Sequence, residues 1–448
     1  MSRTYQLDWG KEKLAVSFPE DCQVREIEIR EMEPIKDLEA AVMAALEGPI
    51  GEPPLREIIK PGEKVVIVMS DITRLSYRTD AYLHLVLEVL NQAGIPDADI
   101  KIVMATGTHR AQTPAEHRLL VGDRVYGRVE IIDHDCLAED QVSLGRTTRG
   151  TEVVVNRHVA EADRVIITGG ITFHRLAGYG GGRKSLAPGV CSYATIQQNH
   201  GLALIDIDAS GVNPAVDTGI LAGNPVAEDM MEIAQIIGCD FLINGVMDGH
   251  GQFISIVAGD LEEAFAAGCR VVDQAYGIPV QGQTDLVVAG CGGYPKDIQL
   301  YQSVKGLFNA MYAVRPGGVI ILVSECSDGI GSPEFSQWFK YSDIEIMRTA
   351  LGKAFTIPGF IALCTAGIIQ RSKAILVSTL PPEQVRQCMF EPAATLEEAM
   401  AMAKDWLGKY QSVTVMPHAM LTFPMLKGEA GVLERVAICD KPFFRSVF

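Results

Sequence analysis

KVVIVMSDITRLSYRTDAYLHLVLEVLNQAGIPDADIKIVMAT, residues 64–106, decides the fold class. It opens and closes on short runs of Val, Ile and Met with no polar alternation, as in strands covered on both faces of a parallel sheet. Between them, YRTDAYLHLVLEVLNQAG (77–94) repeats apolar residues at helical spacing and ends on Gly94, a fitting helix stop. Strand, helix, strand is the parallel α/β unit. The same kind of apolar run recurs as RVIITGG (164–170), DLVVAGC (285–291), GGVIILVS (317–324) and KAILVS (373–378). The pattern predicts two Rossmann-like α/β domains with mainly parallel sheets. Glycines and polar residues interrupt it at IPVQGQTD (278–285), which sets the expected boundary. The expected domains are 1–278 and 279–409, with about 410–448 returning to the first and the active site in the cleft between them.

The bulk properties narrow the partners. The chain of 448 residues is 48% hydrophobic and 21% charged, an ordinary composition for a globular protein with room for more than one domain. A net charge of −17 argues against a nucleic-acid binder, whose affinity comes from Lys and Arg on phosphates. Ten cysteines are scattered without a C-x-x-C pair, so neither a zinc knuckle nor a disulfide framework is expected. The charged opening MSRTYQLDWGKEKLAVSF does not read as a signal peptide, and no apolar run approaches the roughly twenty residues of a membrane span. A cytoplasmic enzyme acting on a small molecule is the expectation.

Ligands of open α/β sheets bind beyond the carboxyl ends of the strands. Four such ends carry reactive side chains. DITR supplies Asp71, Thr73 and Arg74; TGTHR supplies Thr106, Gly107 and His109. FHRLAGYGGGRKSLAPGV (173–190) supplies His174 and Lys184, and GGYPKDIQLYQSVKG supplies Tyr301, Gln302 and Lys305. Each residue alone has a plain reading: Asp71 as a helix N-cap, the histidines as loop residues, Arg183 and Lys184 as solvated charges, and Lys296 and Asp297 as a helix start. GYGGGRKS is not a Walker loop, because Arg183 stands where the second fixed glycine belongs. Repetition at four strand ends lifts the set above the plain readings. Two histidines offer general bases near neutral pH. Arg74 and Lys305 suit a carboxylate, so the expected substrate is a small acid. His200 stands sixteen residues after Lys184 and is a candidate metal ligand.

Taken together, DITR, GTHR, the H-x-x-x-G-Y-x-G-G-R-K segment with His200 behind it, and GGYPKDIQLYQSVKG resemble the nickel-dependent lactate racemase family over about 235 residues. The resemblance implies a nickel pincer nucleotide (pyridinium-3,5-bisthiocarboxylic acid mononucleotide) bound covalently to Lys184, the surrounding glycines making room for it. It implies His200 as the protein ligand to nickel, and Asp71, Thr73, Thr106 and Gly107 near the nucleotide. His109 and His174 would be the two acid/base residues of a hydride shuttle that racemises or epimerises a 2-hydroxy acid. Arg74, Tyr301, Gln302 and Lys305 would orient its carboxylate and hydroxyl. Maturation enzymes would act as partners, and a homodimer is suggested.

Two departures concern the substrate. Leu75, Ser76, Tyr77 and Arg78 follow DITR where the family motif begins with proline, and Gly180 replaces a serine. Tyr77 and Arg78 point to a larger or more acidic substrate than lactate. Two other readings compete. An NAD-dependent 2-hydroxy acid dehydrogenase would need a G-x-G-x-x-G after its first strand, and KVVIVMSDITR has no glycine there. A non-catalytic nucleotide- or phosphate-binding module would leave both histidines unexplained.

Overall fold

The computed structural model describes residues 3–208 and 210–426. Among these, the chain forms two compact units, one of 31–203 and 215–275, the other of 3–30, 204–214 and 276–426. Each is built on a six-stranded sheet.

In the first unit the strand order is Phe253–Gly259, Phe241–Met247, Arg164–Gly170, Val65–Ser70, Ile100–Ala105 and Glu130–Asp133. All neighbours pair in parallel except Phe253–Gly259, which turns back antiparallel at the edge. The runs read as strands at 64–70, 99–106 and 164–170 lie side by side at its centre, and Val65 to Met69 are each at most 3% exposed. Coverage on both faces is what their unbroken apolar sequence demands. From Val65–Ser70 the chain first adds strands on one side, then crosses to Arg164–Gly170 on the other. The order therefore reverses between these two strands, and crevices at such reversals hold ligands in open α/β sheets.

The helix expected over 77–94 begins later, at Leu83, and ends at Gln92. Its buried Leu83, Val86, Leu87 and Leu90 form the apolar stripe that the spacing predicts. Gly94, at φ +95°, closes it. Residues 72–81 instead form two short 3₁₀ turns, split by Arg78 in a left-handed conformation.

The second unit has an all-parallel sheet in the order Glu391–Ala393, Lys373–Val377, Val314–Val323, Thr284–Gly290, Ser412–Met416 and Gln23–Glu26. This corrects the expectation that about 410–448 rejoins the first domain. Ser412–Met416 pairs with Thr284–Gly290, and Phe423–Leu426 pairs with Gly277–Val280, so 412–426 completes the second unit; 427–448 lie outside the described residues. The opening strands also belong here, as the Arg3–Trp9 and Glu12–Phe18 hairpin packs its Leu7, Val16 and Phe18 into the second core. Asp297 is not a helix start. Its fully buried carboxylate accepts the backbone N–H groups of Gly10 at 2.7 Å and Glu325 at 3.2 Å, while the helix begins at Leu300.

Candidate active site

Three adjacent strands of the first unit end in Asp71, Thr106 and the 171–184 segment. Asp71 does not cap a helix. Only 2% exposed, it turns its carboxylate onto two side chains: Oδ1 accepts the Thr73 hydroxyl at 2.6 Å, and Oδ2 lies 2.5 Å from Nδ1 of His109. Burial pushes the carboxyl up, but the hydrogen bonds from His109 and Thr73 outweigh it and hold Asp71 below its ordinary value. An ionised carboxylate can only accept, so Nδ1 of His109 carries a hydrogen, and in the neutral ring Nε2 is the nitrogen with the lone pair. The His109 side chain is half exposed. A buried carboxylate behind an accessible imidazole is the arrangement that orients a general base.

Sequence reasoning placed Asp71 near a nucleotide and missed this pairing. The signal was available, because the two residues follow neighbouring parallel strands by one and four positions. Thr106 and Gly107, expected at the cofactor, engage their own chain. The Thr106 hydroxyl donates to the His134 carbonyl at 2.5 Å, and the Gly107 N–H to the Gly189 carbonyl at 2.9 Å. The Gly107 bond holds the His109 loop against the lysine loop.

His174 ends the first strand of a short hairpin, Thr172–His174 paired with Gly178–Gly180. Its Nδ1 accepts the backbone N–H groups of Leu176 and Ala177, each at 3.2 Å. The hydrogen of this neutral ring therefore sits on Nε2, opposite to His109. Burial, then the basic groups of Lys184 and Arg74 nearby, keep His174 well below the usual histidine range. The two histidines are thus unequal: His109 presents a lone pair at Nε2, His174 a hydrogen.

Lys184 lies in the 3₁₀ turn Gly182–Ser185. Burial first, then the neighbouring guanidinium groups of Arg74 and Arg183, lower its ammonium to about 7, so a large share is free amine at neutral pH. Arg183 is no solvated charge. It is 1% exposed, donates to the carbonyls of Ala177 at 2.6 Å and Ala227 at 3.2 Å, and lies 4.8 Å from the centroid of Phe265. The glycines before it also read differently from the expected cofactor space. A Cβ on Gly181 would come within 2.5 Å of the Gly170 carbonyl, and one on Gly182 within 2.4 Å of the Phe265 ring. Both have positive φ, at +77° and +54°. They let the loop press onto the sheet and the Glu263–Tyr276 helix, and so fix where Lys184 stands.

His200, near the end of the Tyr193–Gly201 helix, is 3% exposed. Burial and the charge of Lys184 lower it to about 3, so it is a neutral imidazole. Among the described residues no group of three or more His, Cys, Asp or Glu converges as a metal cage.

Arg74 and Tyr77 share one turn. Burial raises the Tyr77 phenol against the pull of a hydrogen bond with Arg74. The ring lies on Gly170, where an added Cβ would come within 2.6 Å of it, and a Cβ on Gly180 would stand 3.6 Å from its hydroxyl. The two departures noted in the sequence thus meet: glycine at 180 leaves space beside the tyrosine. Tyr301, Gln302 and Lys305 stand on the Leu300–Ala310 helix of the second unit, where Lys305 donates to Gln302 at 2.6 Å and the Tyr301 ring packs 5.4 Å from Phe335. His134 is buried and bonds to the Cys191 carbonyl at 2.9 Å.

Known proteins are similar to this chain over most of its length. Residues 9–211 match the lactate racemase N-terminal domain, and 280–422 the lactate racemase C-terminal domain. The chain is 32% identical over 422 residues to a lactate racemase of Thermoanaerobacterium thermosaccharolyticum, covering 92% of this chain and 97% of that one. It is 33% identical over 391 residues to a lactate racemase of Lactiplantibacillus plantarum, covering 85% and 89%. The solved lactate racemase apoprotein from T. thermosaccharolyticum superposes with a TM-score of 0.84 at 30% identity, over 94% of this chain and all of that one. A Thermotoga maritima structure at 18% identity and a TM-score of 0.57 shares the fold alone. The chain belongs to the lactate racemase family, and with it to the isomerases.

Proposed function

We propose that this enzyme racemises or epimerises a small 2-hydroxy acid at a lysine-tethered nickel pincer nucleotide. The observation that carries the reading is a buried Lys184 at about 7 beside the neutral imidazoles of His200 and His174, with a second, half-exposed histidine, His109, held by the buried Asp71. The donor set fits the group. A lysine with available free amine can form the covalent bond, and a neutral imidazole is a ligand suited to nickel. Lys184 would hold the nucleotide and His200 the metal. When bound, the cofactor supplies the acceptor for the substrate's C2 hydride.

The chain supplies the rest. Nε2 of His109, oriented by Asp71, would take the hydroxyl proton of one enantiomer; the Nε2–H of neutral His174 can hydrogen-bond the substrate oxygen, and His174 would act as the acid for the other product only from a form carrying a second proton, returning to the neutral ring. Reversal exchanges their protonation states. Arg74, braced by Tyr77, binds the carboxylate; Tyr301, Gln302 and Lys305 are proposed to assist in orienting the substrate. Tyr77 and Arg78, which follow DITR, are proposed to favour a substrate larger or more acidic than lactate. The test is chiral analysis of D- and L-lactate, and of longer and dicarboxylic 2-hydroxy acids, on protein co-produced with cofactor-maturation enzymes. Interconversion of enantiomers without added NAD supports the reading. Oxidation that requires NAD would replace it with the dehydrogenase.

A further inference from the structure

A continuous set of buried polar groups reaches Nδ1 of His200. Asp229, on the Pro225–Ile237 helix, is fully buried. Its Oδ1 accepts the Thr147 hydroxyl at 2.6 Å, and Oδ2 accepts the Thr151 hydroxyl and the Asn199 amide, each at 2.9 Å. Thr147 and Thr151 lie at the tip of the hairpin formed by Val142–Arg146 and Glu152–Val155. Asn199 is 2% exposed, and its amide nitrogen also donates to the Val226 carbonyl at 3.2 Å. Both partners of that nitrogen are pure acceptors, which settles which end of the amide is which. The other end, Oδ1, lies 3.1 Å from Nδ1 of His200.

A carbonyl oxygen can only accept, so Nδ1 of His200 carries the ring hydrogen and Nε2 the lone pair. We propose that Asp229, acting through Asn199, is a positioning residue that holds His200 in the one neutral tautomer whose Nε2 can bind a metal. What Nε2 binds rests on the nickel reading above; the tautomer does not. The carboxylate matters because an amide is nearly symmetrical in shape. Were Asp229 a group that could donate, the longer bond to the Val226 carbonyl alone would hold the amide, and Asn199 could turn over and offer N–H to Nδ1. The ring hydrogen would then move to Nε2 and close that nitrogen to a cation. Partners that orient a metal-binding histidine through its other nitrogen typically change metal affinity by about 10–100-fold when lost.

Long-range ¹H–¹⁵N correlation of the histidine rings in cofactor-free protein tests this, with His200 assigned by its loss in His200→Gln. The expected result is a protonated Nδ1 and a bare Nε2 at His200. In Asn199→Ala and Asp229→Asn the hydrogen should redistribute to Nε2, and nickel retained after co-production with maturation enzymes should fall about 10–100-fold. A wild-type His200 with its hydrogen on Nε2 would overturn the proposal, and that measurement needs no variant to fold. Folded variants with an unchanged tautomer would overturn it equally. If the wild-type tautomer is as expected but Lys184 takes no nucleotide, the positioning role stands and only the nickel reading falls.

Discussion

At the residue scale, the site depends on a difference in protonation that residue types alone could not reveal. Sequence supplied two histidines as an equivalent pair; hydrogen bonds make them unequal, with Asp71 on Nδ1 of His109 and two backbone N–H groups on Nδ1 of His174. Asp71→Asn should therefore lower kcat by about 10²–10⁴-fold with little change in KM, because the amide no longer fixes which nitrogen of His109 is bare. Steady-state kinetics with each enantiomer checks this. Tyr77→Phe removes the hydroxyl that reaches Arg74 and should raise KM several-fold at nearly constant kcat. A fall in kcat alone would place Tyr77 in the chemistry rather than in binding.

At the scale of elements, the strands were legible and the turns between them were not. Unbroken apolar runs in a chain alternating with helices leave little choice but buried parallel strands, and Val65–Ser70, Ile100–Ala105 and Arg164–Gly170 fall where those runs lie. The start of the Leu83–Gln92 helix was hidden because Asp71 bonds to His109, a partner 38 residues away, rather than to its own helix. The lysine loop shows the same limit. Its glycines were visible, but what they approach is set by Gly170 and Phe265, distant in sequence. Gly182→Ala must place a methyl against Phe265 at positive φ, and should destabilise the fold by about 1–3 kcal/mol. Urea unfolding measures that cost. Because the loop carries Lys184, the same variant should load less nucleotide.

For the whole molecule, Ser412–Met416 was assigned to the wrong unit because its neighbour, Thr284–Gly290, lies more than a hundred residues earlier and the run itself is equally apolar. No helix among the described residues is long and apolar enough to cross a membrane. Burying these basic groups has a global consequence. The folded chain holds Lys184 near 7, His200 near 3 and His174 well below its ordinary value. Ordinary values for the unfolded chain are about 10.4 for lysine and 6.5 for histidine. Between the folded and unfolded values the unfolded state binds more protons, so stability rises with pH. For Lys184 that window runs from about 7 to 10.4, and for the two histidines it lies below about 6.5. Cofactor-free protein should accordingly gain Tm from pH 5.5 to 8.5, and Lys184→Met should remove the upper part of that rise.

The account turns on what Lys184 carries. The most direct measurement is the intact mass and metal content of the protein made together with the cofactor-synthesis enzymes, followed by peptide mapping across 173–190. The expected result is an adduct of mononucleotide size on Lys184 with about one nickel per chain, lost in Lys184→Ala while the fold remains. An unmodified Lys184 in protein that interconverts hydroxy-acid enantiomers would contradict it.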